Sequence, residues 1–179
     1  MKQNKSIKYS YAAGILDGEG RIRINRLSPR GYMVSPNYSL IVAISQKDGR
    51  IIDWLYGNFG GVVYLKNKKS FITGTTNWIY VWQTDNLKAL EFLKKVYPFL
   101  KLKKDQAAIA IRFQGRKRNN NDSNNKRLKL SEKEIEVREK LYLLLSLKKK
   151  DFKKSKQKNI REYSFNSLCN SAGAETKQE

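Results

Sequence analysis

The sequence predicts an α+β fold in which a four-stranded antiparallel sheet carries its helices on one face. Three observations predict it. Apolar periodicity changes along the chain in the order helix, two strands, helix, two strands, helix. The first, third and fourth strands each show one polar, aromatic or basic face, as in a sheet covered on a single side. Beyond a polar linker, an amphipathic stretch adds a C-terminal helical extension.

Residues 1–7 are polar and basic and are expected to fray. Tyr9–Gly18 reads as the first helix, with Ser6 as N-cap and Gly20 ending it. Residues 21–27 alternate, Ile22, Ile24 and Arg26 against Arg21, Arg23 and Asn25, which describes a half-buried strand with a basic face. Pro29-Arg30-Gly31 turns the chain, and Pro36-Asn37 opens a second strand, Tyr38–Ser45, apolar enough for cover on both faces. Asp48-Gly49 starts the second helix, whose buried stripe is Ile51, Ile52, Leu55 and Tyr56, and Gly57, Gly60 and Gly61 stop it. Val62–Lys66 is the third strand, Asn67-Lys68-Lys69 a basic turn or strand end, and Asn77–Gln83 the fourth strand. In that fourth strand Trp78, Tyr80 and Trp82 alternate against Ile79 and Val81.

Thr84 or Asp85 can cap a third helix over 86–97, with Leu87, Leu90, Leu93 and Val96 on one face. Pro98 breaks it, and Lys103–Phe113 resumes as a fourth. Residues 115–127 (GRKRNNNDSNNKR) form a low-complexity basic linker. Leu130–Leu147 is an amphipathic helix whose Ser131 and Glu134 make a capping box. The chain thus divides into a core over 1–114, a linker over 115–127, and a C-terminal helix and basic tail over 128–179.

Charge narrows the partners. There are 37 Lys and Arg against 16 Asp and Glu, a formal charge of +21, and such a field favours a polyanion. No apolar run approaches the length that crosses a bilayer, and the N-terminus lacks a signal peptide's apolar core. A soluble, intracellular protein, cytoplasmic or organellar, is expected. The lysine-rich run over 148–158 lacks the interleaved Trp, Phe and Leu of an interfacial helix, so membrane binding is not expected. Histidine is absent and Cys169 is the single cysteine, which removes imidazole bases, His-ligated metals, disulfide frameworks and cysteine-cluster zinc sites. Any catalysis must therefore use carboxylates, lysines, water and a hard cation.

The stretch that stands out is Ala12-Ala13-Gly14-Ile15-Leu16-Asp17-Gly18-Glu19-Gly20. Gly14 and Gly18 lie four apart, on one helix face, and let another backbone come close. Asp17 and Glu19 fall at the helix C-terminus, whose dipole repels carboxylates and attracts cations. A glycine-terminated helix with two solvated acids fits these nine residues, and so does a cation site.

The nonapeptide resembles the LAGLIDADG motif of homing endonucleases, with Ala12 in place of leucine, Gly18 at the seventh position and Glu19 where aspartate is commoner. Single-motif members of that family carry a glutamine-lysine pair after the second strand and an arginine a few residues on, and Gln46-Lys47-Asp48-Gly49-Arg50 matches. They also carry a segment like Pro98-Phe99-Leu100-Lys101-Leu102-Lys103 between late helices. The resemblance spans about residues 7–114, and no second acidic nonapeptide occurs.

The resemblance implies an αββαββα core with a saddle-shaped sheet, and a catalytic set of Glu19, Gln46, Arg50 and Lys103. The glutamine positions water, and Lys103 and Arg50 support the cleaved phosphate. Asp17 belongs near a helix interface and hydrogen-bonds there. The Glu19 carboxylate beside the Gly18 carbonyl offers hard oxygen ligands to Mg²⁺. One carboxylate per chain is a weak site, so a homodimer joined through Ala13, Gly14, Asp17 and Gly18, acting on a near-palindromic double-stranded DNA, is expected. A basic antiparallel sheet can enter a DNA major groove, and the candidates for base contact are Arg21, Arg23, Asn25, Asn37, Ser39, Tyr64, Lys66, Lys68, Trp78 and Tyr80. The alternative is a non-cutting binder, an RNA maturase or a DNA-binding regulator on the same fold.

Overall fold

In the computed structural model, residues 2–29, 35–69, 76–119 and 131–149 are described. The elements are α1 (Lys2–Glu19), β1 (Gly20–Leu27), β2 (Asn37–Gln46), α2 (Gly49–Phe59), β3 (Val62–Lys69), β4 (Thr76–Asp85), α3 (Asn86–Val96), a 3-10 turn (Tyr97–Phe99), α4 (Lys104–Asn119) and α5 (132–149). The expected turn at Pro29-Arg30-Gly31 lies partly outside the described residues, as do the tail beyond 149 and most of the 115–127 stretch. Its first residues, 115–119, are the last turns of α4.

Helix α1 begins seven residues earlier than its apolar run suggests, so Ser6 lies inside it and the expected fraying segment is helical. Ring contacts hold this N-terminal half in place, Tyr9 against Phe59 at 6.3 Å and Tyr11 edge-on to Trp54 at 4.8 Å. At the other end Gly20 turns helix into strand with no space to spare. A Cβ there would meet Leu16 Cδ1 at 2.3 Å and the Leu16 carbonyl oxygen at 2.6 Å.

The four strands form one antiparallel sheet in the order β1-β2-β4-β3. Pairing partners share a face, so the register sorts the side chains. Ile22 pairs with Val42, Ile24 with Leu40, Ile44 with Trp82 and Trp82 with Val63. These residues form the core with Ala12, Ala13 and Leu16 of α1, Ile52 and Leu55 of α2, Leu93 and Val96 of α3, and Ala107, Ala110 and Phe113 of α4. The helices lie on that one face, as predicted, and the other face is open. Strand β2 sits between two neighbours, and its residues from Leu40 to Ile44 are all buried.

Two stripe residues are corrected by the packing. Tyr56 of α2 and Leu87 of α3 are exposed, and Trp54, Ala89 and Phe92 pack inward in their place. Nor does Gly57 stop α2; the helix ends where Gly60 takes a φ of 65° and its N–H reaches Tyr56 O at 2.8 Å. Asp48 caps the start, accepting from Arg50 N–H at 2.9 Å.

Helix α5 contributes Leu141 and Leu145 to the core, and one compact unit spans Met1–Leu145. Glu139 ties α5 to the sheet: its Oε2 accepts from the Tyr38 hydroxyl and from Arg26 Nε at 2.9 Å. These bonds, the Tyr38 one foremost, hold the Glu139 carboxyl below its ordinary range, and burial followed by the same bond raises the Tyr38 phenol. Ser131 Oγ accepts from Glu134 N–H at 3.3 Å, but the Glu134 side chain does not complete the expected capping box. Its oxygens take Arg138 Nε at 2.8 Å and Arg116 Nη2 at 3.0 Å instead. Burial raises the Glu134 carboxyl and the two guanidinium groups outweigh it, so its pKa is lowered.

Candidate active site and nucleic-acid interface

The C-terminus of α1 is the point on which the candidate residues converge. Two of its acids meet opposite surroundings. Asp17 is buried, and its carboxylate accepts three backbone N–H groups, from Lys101 at 2.8 Å, Leu102 at 3.2 Å and Lys103 at 2.8 Å. It thereby fastens the entry to α4 onto α1. Glu19 is exposed at the last helical position.

Lys103 is also buried, and its ammonium donates to the carbonyls of Leu16, at 2.9 Å, and of Asp17. A helix C-terminus leaves carbonyls without intrahelical partners and carries a partial negative charge. Lys103 answers both, one turn from Gly18 and Glu19. Gln46 ends β2, and Gly20 pairs with Ile44 in the β1–β2 ladder, so Gln46 lies at the sheet end from which Glu19 enters. Arg50, in the first turn of α2, is exposed. Its Nε bonds both carboxylate oxygens of Asp48, at 3.1 and 3.0 Å, and this hydrogen bonding draws the Asp48 pKa down to about 2. Glu19, Gln46 and Lys103 thus gather at one end of the sheet, while Arg50 is held by its own helix cap.

The expected helix interface divides in two. Ala13 and Asp17 are buried within the chain, Asp17 hydrogen-bonding the entry to α4. Gly14 and Gly18 are exposed, and a Cβ built on either meets nothing within 4 Å. With Ile7 (62% exposed) and Tyr11 (50% exposed) they form an uncovered stripe at helical spacing.

On the open face the ladders align Arg21 with Ala43 and Gln83, Arg23 with Ile41 and Asp85, and Asn25 with Ser39. Asn37, Tyr64 and Lys66 belong to the same face, in register with Leu27, Val81 and Ile79. Lys68 pairs with Asn77 in the ladder, and its side chain lies outside the described residues. Ile41, Ala43 and Val81 are buried yet stand apart from the helix-side core, forming an apolar floor beneath the polar side chains. Arg23 Nε is buried without a hydrogen-bond partner among the described residues.

Trp78 and Tyr80 do not join this face. Tyr80 pairs with Gln46 and Leu65, and Trp78 with Asn67, on the helix side of the sheet. The Tyr80 ring lies 3.4 Å from where a Cβ on Gly49 would be. The alternation that sends Trp82 into the core carries Tyr80 and Trp78 to the same side. Gln83, which sequence reading passed over, is on the open face, and the parity of β4 opposite to Trp82 is the signal that identifies it.

A two-layer α+β architecture, with an uncovered basic sheet face and carboxylates at the end of its first helix, defines the structural class. More narrowly, the fold is that of the LAGLIDADG homing endonucleases. An archaeal intron-encoded homing endonuclease, I-Vdi141I, solved in complex with DNA, superposes with a TM-score of 0.63 at 21% identity, over 79% of this chain and 84% of that one. The homing endonuclease I-TnaI matches with a TM-score of 0.55 at 17% identity, over 80% and 97%. I-SmaMI, a LAGLIDADG enzyme bound to cleaved DNA, gives a TM-score of 0.57 at 16% identity, over 75% of this chain but 42% of its own. No protein-family model and no curated protein matches the sequence. Among the described residues, no helix is long and apolar enough to cross a membrane.

Proposed function

We propose that this chain is a site-specific, divalent-metal-dependent DNA endonuclease of the single-motif LAGLIDADG type, active as a homodimer on a near-palindromic site. The observation that carries the reading is the convergence at the end of α1. An exposed Glu19, a polar and basic sheet face, and an uncovered Gly14–Gly18 helix stripe all begin there. The solved relatives named above include DNA complexes, and a match to nearly the whole of I-TnaI but less than half of I-SmaMI fits a two-copy enzyme.

The donor set suits Mg²⁺ as half of a site. Among the described residues no three acidic or cysteine ligands cluster in one chain, and Asp17 is occupied by three N–H groups. Glu19 and the Gly18 carbonyl remain as the oxygens that would hold Mg²⁺, a cation that binds proteins through one or two carboxylates and otherwise keeps water and phosphate ligands. A second chain packed along Gly14 and Gly18 brings a second Glu19 beside the first, one for each DNA strand. Held there, a divalent cation would supply an activated water and charge neutralisation at the phosphate. The chain's own groups do the rest. Gln46 orients the water, and the guanidinium of Arg50 offers its remaining edge to a phosphate. Lys103 acts through α1, neutralising its terminal carbonyls and fixing where Glu19 stands.

The test is a cleavage selection on randomised near-palindromic duplexes, run with Mg²⁺, with Ca²⁺, and with Glu19→Gln. One enriched site, cut only by the intact protein with Mg²⁺, is the expected result. Absence of cutting together with tight binding to structured RNA would replace the endonuclease by an RNA-binding function.

A further inference from the structure

Gln46 ends β2 with unequal surroundings on its two sides. The β1–β2 ladder begins at Gly20 and Ile44, so on one side the sheet has already given way to Glu19 at the end of α1. On the other side its partner is Tyr80 of β4. Paired residues of an antiparallel ladder share a face, with Cβ atoms about 4.5–5.5 Å apart. The one strand neighbour of Gln46 is therefore aromatic. That ring also reaches the start of α2. A Cβ built on Gly49 would lie 3.4 Å from Cε1, Cε2 and Cζ of Tyr80 alike. Equal distances of that length to three atoms of a flat ring are met only over its face, so Tyr80 lies face-on against the Gly49 backbone. Gly49 in turn stands between Asp48, the N-cap of α2, and Arg50, whose guanidinium bonds that cap. One ring thus spans from the position beside Gln46 to the residue before Arg50.

We infer that Tyr80 is a positioning residue, its ring clamping the connection from Gln46 to Arg50 so that both side chains are held toward one phosphate. The inference rests on the DNA-endonuclease reading and deepens it. A glutamine and an arginine are rotamer-rich, and fixing the backbone that carries them lowers the entropy lost when they engage a substrate. The role belongs to the flat ring, which touches Gly49, and not to the hydroxyl. It also gives an aromatic residue that is 38% exposed, on the side of the sheet away from the open face, something to do.

The test compares wild type, Tyr80→Phe and Tyr80→Ala in three measurements: single-turnover cleavage of the selected duplex with Mg²⁺, duplex affinity in Ca²⁺, and amide hydrogen exchange without DNA. Tyr80→Ala should cut on the order of a hundredfold more slowly, as expected for a displaced catalytic group, and bind the duplex as wild type does. Its amides at Gly49 and Arg50 should exchange faster, because the connection opens locally. Tyr80→Phe keeps the ring and should match wild type in all three. If Tyr80→Ala melts below the assay temperature, Tyr80→Leu, which keeps bulk without a flat face, takes its place with the same expected results. Wild-type cleavage by the variant without the ring overturns the positioning role, and so does a Tyr80→Phe protein as slow as it. Unchanged exchange at Gly49 and Arg50 overturns the clamp. These three results leave the endonuclease intact, whereas a wild type that cuts no duplex overturns both readings.

Discussion

Asp17 and Glu19 are two residues apart and do different work because one helical step carries them to different environments. Asp17 faces the loop before α4, where three N–H groups converge on it; Glu19 faces solvent at the helix end. Asp17→Asn keeps the size but loses the charge and one acceptor, so it should cost about 1–3 kcal/mol in urea unfolding. Glu19→Gln should leave stability within about 0.5 kcal/mol of wild type and abolish cutting. Lys103→Met is the informative intermediate. Its ammonium makes buried bonds to the carbonyls that close α1, so the variant should lose about 1.5–3 kcal/mol of stability together with cleavage. Full stability with lost cleavage would return Lys103 to a direct role at the phosphate.

Two helices carry predictions at the scale of the element. In α1, Gly14 has open space where a side chain would go, so Gly14→Leu fits the single chain and raises its helix propensity. Its melting temperature should hold or rise, while sedimentation should show the dimer reduced to monomer. A variant that stays dimeric would move the interface elsewhere. In α5, Glu139 is ionised below its ordinary value of 4.5 because Tyr38 and Arg26 hydrogen-bond its charged form. A carboxyl whose folded pKa is depressed stabilises fully above the unfolded value and loses that contribution as pH falls through the folded one. Wild type should therefore lose stability more steeply than Glu139→Gln below about pH 4.5. Parallel pH profiles would show that the Glu139 contacts do not help to hold α5. Glu134, with Arg138 and Arg116, adds a similar acid-sensitive contact that both proteins keep.

At the scale of the whole molecule, a formal charge of +21 sets the expectation for binding. Each neutralised phosphate releases counterions, and a protein making 6–10 such contacts loses about 10³–10⁵ in affinity between 50 and 200 mM salt. A steep linear fall of log affinity with log salt is expected for matched and unmatched duplexes alike. The difference between them, which the base contacts proposed for residues such as Arg23 would carry, should persist. A specificity ratio that vanishes with salt would mean the open face reads no bases. Ile41, Ala43 and Val81 are buried on the open face, while Leu27, Val62 and Tyr64 of that face are exposed beside its polar and basic side chains.

The sequence by itself determined the order of elements, the single-sided sheet and the nonapeptide at its hinge, because periodicity, glycine and charge are local properties of the chain. It also determined which residue types were available for chemistry, histidine being absent. Tertiary structure alone decided the rest. The face on which Trp78 and Tyr80 fall depends on a register shared with Gln46 and Leu65, which lie far away in the chain. The ring contacts that Tyr9 and Tyr11 of α1 make with Phe59 and Trp54 of α2 depend on segments more than 40 residues apart. The fates of Asp17 and Lys103 depend on each other's segments, 86 residues apart, meeting at the end of α1. Such partners leave no trace in local pattern, since burial and pairing are properties of the packed chain.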